Sequence, residues 1–318
     1  MSVDVLSPAS WSRGLQLTQE ARWHLTALWE AIDKYLKDRV PQDWEKTEVR
    51  QYRQRILDVL SSEFRIMNFF QTGSFQHGTA VTPYSDVDYM ARIYFEDKPK
   101  SSTTILVKMR DVLKRELWEA TEVYVDRPTV TLKFASVVSS YEITPAYLLR
   151  GESDDTQVVS IPAPGGEWWE AAPKAHNKFV AEMDKKHNGD VREIARLLKA
   201  WKYENDVPIS SFYLEMRAAE HGKNHDVIWS LSTLRSIVTK LIDTNLAAMN
   251  DPTGLVSRIH ACSAEYKRSA SLTKLRNLKQ NLDSASAAHE DPSKRWEMNQ
   301  ALQAIWGASF PYCDPGGA

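Results

Sequence analysis

An α+β chain of two lobes is predicted here: a mixed sheet with helices packed on it, then a lobe built of helices. Three features of the sequence predict it. First, segments of helical period alternate with period-2 segments up to about residue 150. Second, residues 151–174 (GESDDTQ, then IPAPGGEWWEAAPK) are dense in Gly and Pro and read as a crossing between lobes. Third, from Ala175 the signal is helical almost to the end. At 318 residues the chain is long enough for two lobes. The expected division is 1–165 for the sheet lobe with its N-terminal helices, 166–312 for the helical lobe, and 313–318 for a mobile tail.

In chain order, Leu25, Leu28, Trp29, Ile32, Tyr35 and Leu36 recur at helical spacing, giving a helix that stops before Pro41. Val49, Tyr52, Ile56, Val59 and Leu60 mark a second, longer one. RIMNFF (65–70) reads as a strand feeding a Gly-Ser turn. A strand follows Asp86-Val87-Asp88, and after the polar break EDKPKSS comes a helix with Ile105, Leu106, Met109, Val112, Leu113 and Leu117 on one face. In TVTLKF, Val130, Leu132 and Phe134 alternate with polar residues, and in YEITPAY, Tyr141 and Ile143 do. Helix, strand, strand, helix, strands is the order of a mixed sheet with helices on it. In the second half, Val191, Ile194, Ala195, Leu198 and Trp201 form one stripe, and Trp229, Leu234, Ile237, Val238 and Leu241 another. Segments 252–268, 272–289 and 292–306 read as three more helices. Asp251-Pro252 and Asp291-Pro292 suit helix starts, because Pro at the first helical position gives up no hydrogen bond. The end, FPYCDPGGA, has no period.

Composition excludes several classes. The formal net charge of −2 provides no global field to attract nucleic acid. Two cysteines, Cys262 and Cys313, exclude a disulfide framework and a Cys-rich zinc module. The start, MSVDVLSPASW, lacks the basic and apolar regions of a signal peptide. No apolar run approaches the ~20 residues that span a bilayer. A cytoplasmic protein without a membrane segment is expected.

The stretch that carries chemistry is QTGSFQHGTAVTPYSDVDYMARI, residues 71–93. Side chains two apart on a strand leave the same face, so Asp86 and Asp88 stand side by side while Val87 points into the core. Carboxylates held that close repel unless a proton or a cation lies between them. Oxygen ligands of this kind suit a hard divalent ion such as Mg²⁺. Gly73 and Ser74, just upstream, offer backbone N–H groups and a hydroxyl to a phosphate. The combination describes a site for a metal-bound nucleoside triphosphate.

Phosphoryl transfer with two metals needs more than two aspartates. Glu142, the acidic residue in an otherwise apolar strand, is the first candidate for the third carboxylate, and Asp126, in what reads as a turn before Arg127-Pro128, is the competing one. The far side of a triphosphate needs cations and donors. In RLLKAWKYENDVPISSFYLE, Lys199 lies off the apolar stripe. Ser210 and Ser211 sit where a new helix starts, a place that favours an anion, and Phe212 is placed to stack on a base.

Gly73-Ser74, then Asp86-Val87-Asp88, then an acidic residue in YEITPA, resembles the polymerase-β-like nucleotidyltransferase superfamily. LLKAWK, SSFYLE and a closing IWGASFP are similar to the bacterial relatives of cyclic GMP-AMP synthase and oligoadenylate synthase, the CD-NTases of anti-phage (CBASS) operons. The resemblance spans roughly residues 20–312. It implies a polymerase-β-like lobe plus a C-terminal helical lobe, with the active site in the cleft between them. Asp86, Asp88 and Glu142 would hold two Mg²⁺ ions, with Mn²⁺ able to substitute. Gly73 and Ser74 would grip the donor triphosphate, Lys199 and Ser211 would assist, and Phe212 would stack on the donor base. ATP and GTP are the implied substrates, and the implied product is a cyclic di- or trinucleotide second messenger such as cyclic GMP-AMP, with pyrophosphate released. A monomer is expected. The alternative is a template-free transferase acting on RNA ends or a small-molecule acceptor.

Two departures from the family pattern matter. Many relatives carry Asp where this chain has Glu142. No zinc-binding Cys/His insertion is present, so activation by double-stranded DNA is not expected. The ending CDPGGA resembles relatives whose C-terminus is conjugated by a ubiquitin-transfer-like partner, which would involve Gly316, Gly317 and Ala318.

Overall fold

A computed structural model describes residues 19–135, 138, 140–289 and 291–313. Helices α1 (Gln19–Lys37) and α2 (Asp43–Glu63) lead into β1 (Ile66–Thr72), the short α3 (Gly73–His77) and β2 (Val87–Ile93). Then come α4 (Ser102–Glu116), β3 (Ala120–Asp126), β4 (Thr129–Phe134), β5 (Tyr141–Arg150), β6 (Val158–Pro162) and β7 (Trp168–Ala171). The helices α5 (Pro173–Lys186), α6 (Asp190–Glu204), α7 (Ser211–Asn224), α8 (Ser230–Asp243), α9 (Glu265–His289) and α10 (Arg295–Trp306) complete the described chain.

The seven strands form one mixed sheet in the order β1-β2-β5-β4-β3, with β6 and then β7 added along the second half of the long β5. β2 and β5 pair in parallel and their other neighbours are antiparallel. A parallel pair needs a long crossover, supplied here by α4 and the β3–β4 hairpin. α2 and α4 cover one face of the sheet, where Ile56, Leu60, Leu106, Met109 and Leu113 pack on Val87, Tyr89, Tyr141 and Ile143. Each such aliphatic side chain contributes about 1.5–3 kcal/mol by leaving water. Because strand side chains alternate, burying Val87 and Tyr89 there turns Asp86 and Asp88 to the opposite face, toward the helical lobe.

Several sequence expectations are corrected. α1 does not join the sheet lobe: Leu28, Ile32 and Tyr35 lie in the helical core, and the Tyr35 hydroxyl donates to the Trp306 carbonyl at 3.2 Å. The supposed crossing loop contains β6 and β7, so the sheet runs on to Ala171. Much of 252–268 is not helix. The Asp251 carboxylate accepts from the amides of Thr253, Leu255 and Val256 and folds the chain into turns, while Met249 and Ile259 bridge across. The end is docked as far as Cys313: Phe310 stacks on Trp306, and the Cys313 amide donates to Asn299 at 2.7 Å. Gly316, Gly317 and Ala318 lie outside the described residues. No described helix is long and apolar enough to cross a membrane.

Candidate active site

Asp86 and Asp88 flank the buried Val87 at the start of β2. Asp88 is the register partner of Glu142 across the parallel β2–β5 pair, and Glu142 in turn lies opposite Thr131 of β4. Three carboxylates thus come from two neighbouring strands onto one half-buried ledge. Burial raises the Asp88 carboxyl well above the usual range, and Glu142 and Asp86 raise it further. Glu142 is pushed up to about 7 by burial, then by Asp86 and Asp126. Asp86 is also raised by burial, although the Ser140 hydroxyl bonded to it and Lys202 oppose this. Asp126 contributes to the field at Glu142 from the end of β3, where the chain turns into β4.

Acids crowded in this way call for a cation, and their donor set of hard oxygens fits a divalent ion of the Mg²⁺ type. Among the described residues, no three His, Cys, Asp or Glu side chains are already drawn to metal-ligand spacing. Asp86 bends to Ser140 and Asp88 lies against Gly73, an arrangement expected of like charges side by side.

Gly73 opens α3 with φ +62°, and a Cβ there would come within 2.7 Å of the Asp88 Cγ. Both the backbone and the close approach therefore require glycine. Ser74, next in the chain, is buried in the first turn of α3. The Gly-Ser turn and the carboxylate ledge are one unit, since β1 and β2, which α3 joins, pair as far as Thr72 opposite Asp88.

The helical lobe meets this ledge with α6 and α7. Lys199 does not take the expected place. It is buried, donating to the Thr79 carbonyl at 3.0 Å and to Glu215 at 2.8 Å. Its surroundings are why: Leu197, Leu198, Ala200 and Trp201 are all buried too, so that turn of α6 has no free face. From there Lys199 still acts electrostatically on Asp88, while Lys202 donates to the Ser211 hydroxyl at 2.8 Å and, with Lys133, acts electrostatically on Asp86. Burial and then Lys199 push the Lys202 ammonium down to about 8. Ser210 caps α7 by accepting from the Tyr213 amide. Tyr203, in contact with Ser211 at 3.3 Å, stacks on Tyr84 with ring centroids 4.8 Å apart. Phe212 is half-buried and packs edge-on to His176. Lys202, Tyr84 and Tyr203 were missed from the sequence, although Lys202 lies in the same LLKAWK run, one turn beyond Lys199 and near the end of α6, where a side chain can reach the cleft.

A cavity of about 650 Å³ opens elsewhere, behind the turn, with Arg53, Gln71, Phe75, Tyr89 and Arg196 among its walls. Tyr89 leaves β2 on the face opposite Asp88, so this space lies at the rear of the ledge.

Residues 27–184 match the model of the Second Messenger Oligonucleotide or Dinucleotide Synthetase (SMODS) domain. That span is just under half of the chain, and over it the chain is similar to the CD-NTases. The protein is a nucleotidyltransferase and, in general terms, a cyclic nucleotide synthase. A probable cyclic nucleotide synthase of Bacillus cereus (strain VD146) is 21% identical over 246 residues, covering 74% of this chain and 73% of the relative. The fold is similar to that of CdnC from E. coli MS115-1, with TM-score 0.71 and 19% identity over 89% of this chain and 98% of CdnC. It is also similar to Vibrio cholerae DncV, a cyclic AMP-GMP synthase solved with the linear intermediate 5′-pppA(3′,5′)pG, with TM-score 0.64 and 15% identity over 97% of this chain and 85% of DncV. At these identities the two structures speak for the fold, and the chain's own residues must carry the chemistry.

Proposed function

We propose that this chain joins nucleoside triphosphates, ATP and GTP among them, into a cyclic di- or trinucleotide second messenger with release of pyrophosphate. Cyclic GMP-AMP is the proposed product and anti-phage defence the proposed role. The observation that carries the reading is the pairing of Asp88 with Glu142 beside a glycine that admits no side chain. It is supported by neighbours solved with ATP, with GTP and with a linear dinucleotide intermediate.

Asp86, Asp88 and Glu142 would hold two Mg²⁺ ions. When bound, these supply the charge that activates an acceptor hydroxyl and neutralises a leaving pyrophosphate. The protein's own part is positioning and charge. Gly73 lets the backbone approach the donor phosphates and Ser74 offers its hydroxyl. Lys202 and Ser211 meet the triphosphate from the helical lobe, in the role first expected of Lys199. The half-buried Phe212 and the Tyr84–Tyr203 stack give flat apolar surfaces for bases. Most of the acceleration then comes from alignment of hydroxyl and α-phosphate in a site whose charges are fixed in advance.

The test is to incubate the protein with all four NTPs and Mg²⁺, treat with phosphatase and weigh the products. A phosphatase-resistant cyclic species from the wild type, lost in Asp88→Asn, is the expected result. Absence of any product from NTPs alone, with transfer appearing only when RNA ends or a small acceptor are added, would favour the template-free alternative.

A further inference from the structure

We propose that Arg192, Arg196 and Lys199 are positioning residues which hold the phosphate-gripping turn in place from the helical lobe. The inference rests on the proposed role of Ser74 in binding the donor triphosphate.

Three successive carbonyls leave the end of α3, and each accepts from a different cation of α6. Arg192 Nε donates to His77 O at 2.6 Å. Arg196 donates to Gly78 O through Nε at 3.0 Å and a terminal nitrogen at 2.5 Å. Lys199 Nζ donates to Thr79 O at 3.0 Å. Positions 192, 196 and 199 are four and three residues apart, the spacing of one helix face. The carbonyl end of a helix carries partial negative charge; His77 closes α3, Gly78 caps it and Thr79 follows, and each of the three carbonyls is met by a cation.

A second layer locks the same segment. Glu215 of α7 accepts from the Thr79 hydroxyl at 2.5 Å and from Lys199 at 2.8 Å, and it pairs with His77 Nδ1 at 2.8 Å. The other nitrogen of His77 meets Asn177 of α5 at 2.7 Å. The turn is covalently part of the sheet lobe, yet three helices of the other lobe hold it. Buried charge pairs of this kind add little net stability compared with apolar packing. What they add is direction, because a hydrogen bond holds donor and acceptor to a preferred distance and angle. Lys202 continues the run three residues beyond Lys199 and holds Ser211. One helix therefore sets the distance between the two serines assigned to the triphosphate.

Arg196 is the residue to test, because both of its hydrogen bonds go to Gly78 O. A double-mutant cycle of Ser74→Ala and Arg196→Met, read as KM and kcat for NTP with circular dichroism as the fold control, separates positioning from general stability. Each single variant is expected to raise KM about tenfold, and the double variant is expected to be no worse than the poorer single. Arg196→Lys, which keeps one donor, should recover most of the loss. Multiplying effects in the double variant, or an unchanged KM in Arg196→Met, would overturn the proposal while leaving the assignment of Ser74 intact. An unchanged KM in Ser74→Ala would instead remove the role of Ser74 on which the proposal stands. If Arg196→Met does not fold, Arg192→Met makes the same test at the neighbouring carbonyl.

Discussion

Glu142 stands opposite Asp88 in the register of the parallel β2–β5 pair, and Asp88 lies in turn against the Cα of Gly73. A longer side chain where many relatives have Asp is thus placed by strand register. The carboxylates are brought together by sheet pairing, which packing on the far face enforces through Val87 and Ile143.

Removing one carboxylate should separate stability from activity. Glu142 is raised to about 7 by burial and by its acidic neighbours, so its charge opposes the folded state without a metal. Glu142→Gln is expected to lower synthesis by about 10³-fold and yet to raise Tm by a few degrees in chelator-treated buffer at pH 8. Differential scanning fluorimetry beside a pyrophosphate-release assay checks both. A lower Tm in the variant would contradict the account of mutual repulsion.

Gly73→Ala is expected to cost about 1 kcal/mol or more from its positive φ, and to abolish synthesis by displacing Asp88. Gly165, with φ +74° and nothing within 4 Å of an added Cβ, is the control. Gly165→Ala should show a comparable loss of stability in urea unfolding with synthesis retained. Equal activity of the two variants would remove the special status of Gly73.

The charge of Lys202 sets a pH dependence. With its ammonium pushed down to about 8, the side chain is cationic below that value and neutral above it. Affinity for a non-hydrolysable ATP analogue should therefore fall between pH 7 and pH 9. Lys202→Met should bind about tenfold more weakly at pH 7 and show a shallower fall. Parallel pH curves for the two proteins in calorimetry would show that Lys202 does not meet the phosphates.

Glu215 governs stability from inside the lobe junction. Burial alone would raise its carboxyl, but Lys199 and His77 overcome this and hold it down at about 2. A depressed folded pKa contributes stability that is present above the ordinary carboxylate range and lost as pH falls through about 2. Glu215→Gln leaves Lys199 buried without a countercharge and should cost on the order of 3–5 kcal/mol at pH 7. The gap to wild type in urea unfolding should narrow below about pH 4. A gap independent of pH would contradict the pairing.

The site was legible in the sequence where its chemistry lies close along the chain. Gly73, Ser74, Asp86 and Asp88 fall within one run, and period-2 alternation alone separates the aspartates from Val87. Lys199 misled because a single apolar stripe was assigned to α6, whereas Leu197 and Ala200, off that stripe, are buried as well. β3 was missed because it is an edge strand with much of its surface exposed, and β6 because its apolar run sits among Gly and Pro. The helix expected over 252–268 was overridden by the Asp251 carboxylate, which gathers amides into turns. The tail reads as periodless, yet Trp306 and Asn299 bind it through contacts that no local pattern encodes.

The central claim is that Asp86, Asp88 and Glu142 together hold two divalent cations beneath a bound nucleotide. Counting bound Mn²⁺ by electron paramagnetic resonance, with a non-hydrolysable ATP analogue present, tests it most directly. Two ions per wild-type chain, and no more than one in Asp88→Asn with the fold intact, is the predicted result. Equal Mn²⁺ binding by the two proteins would contradict it.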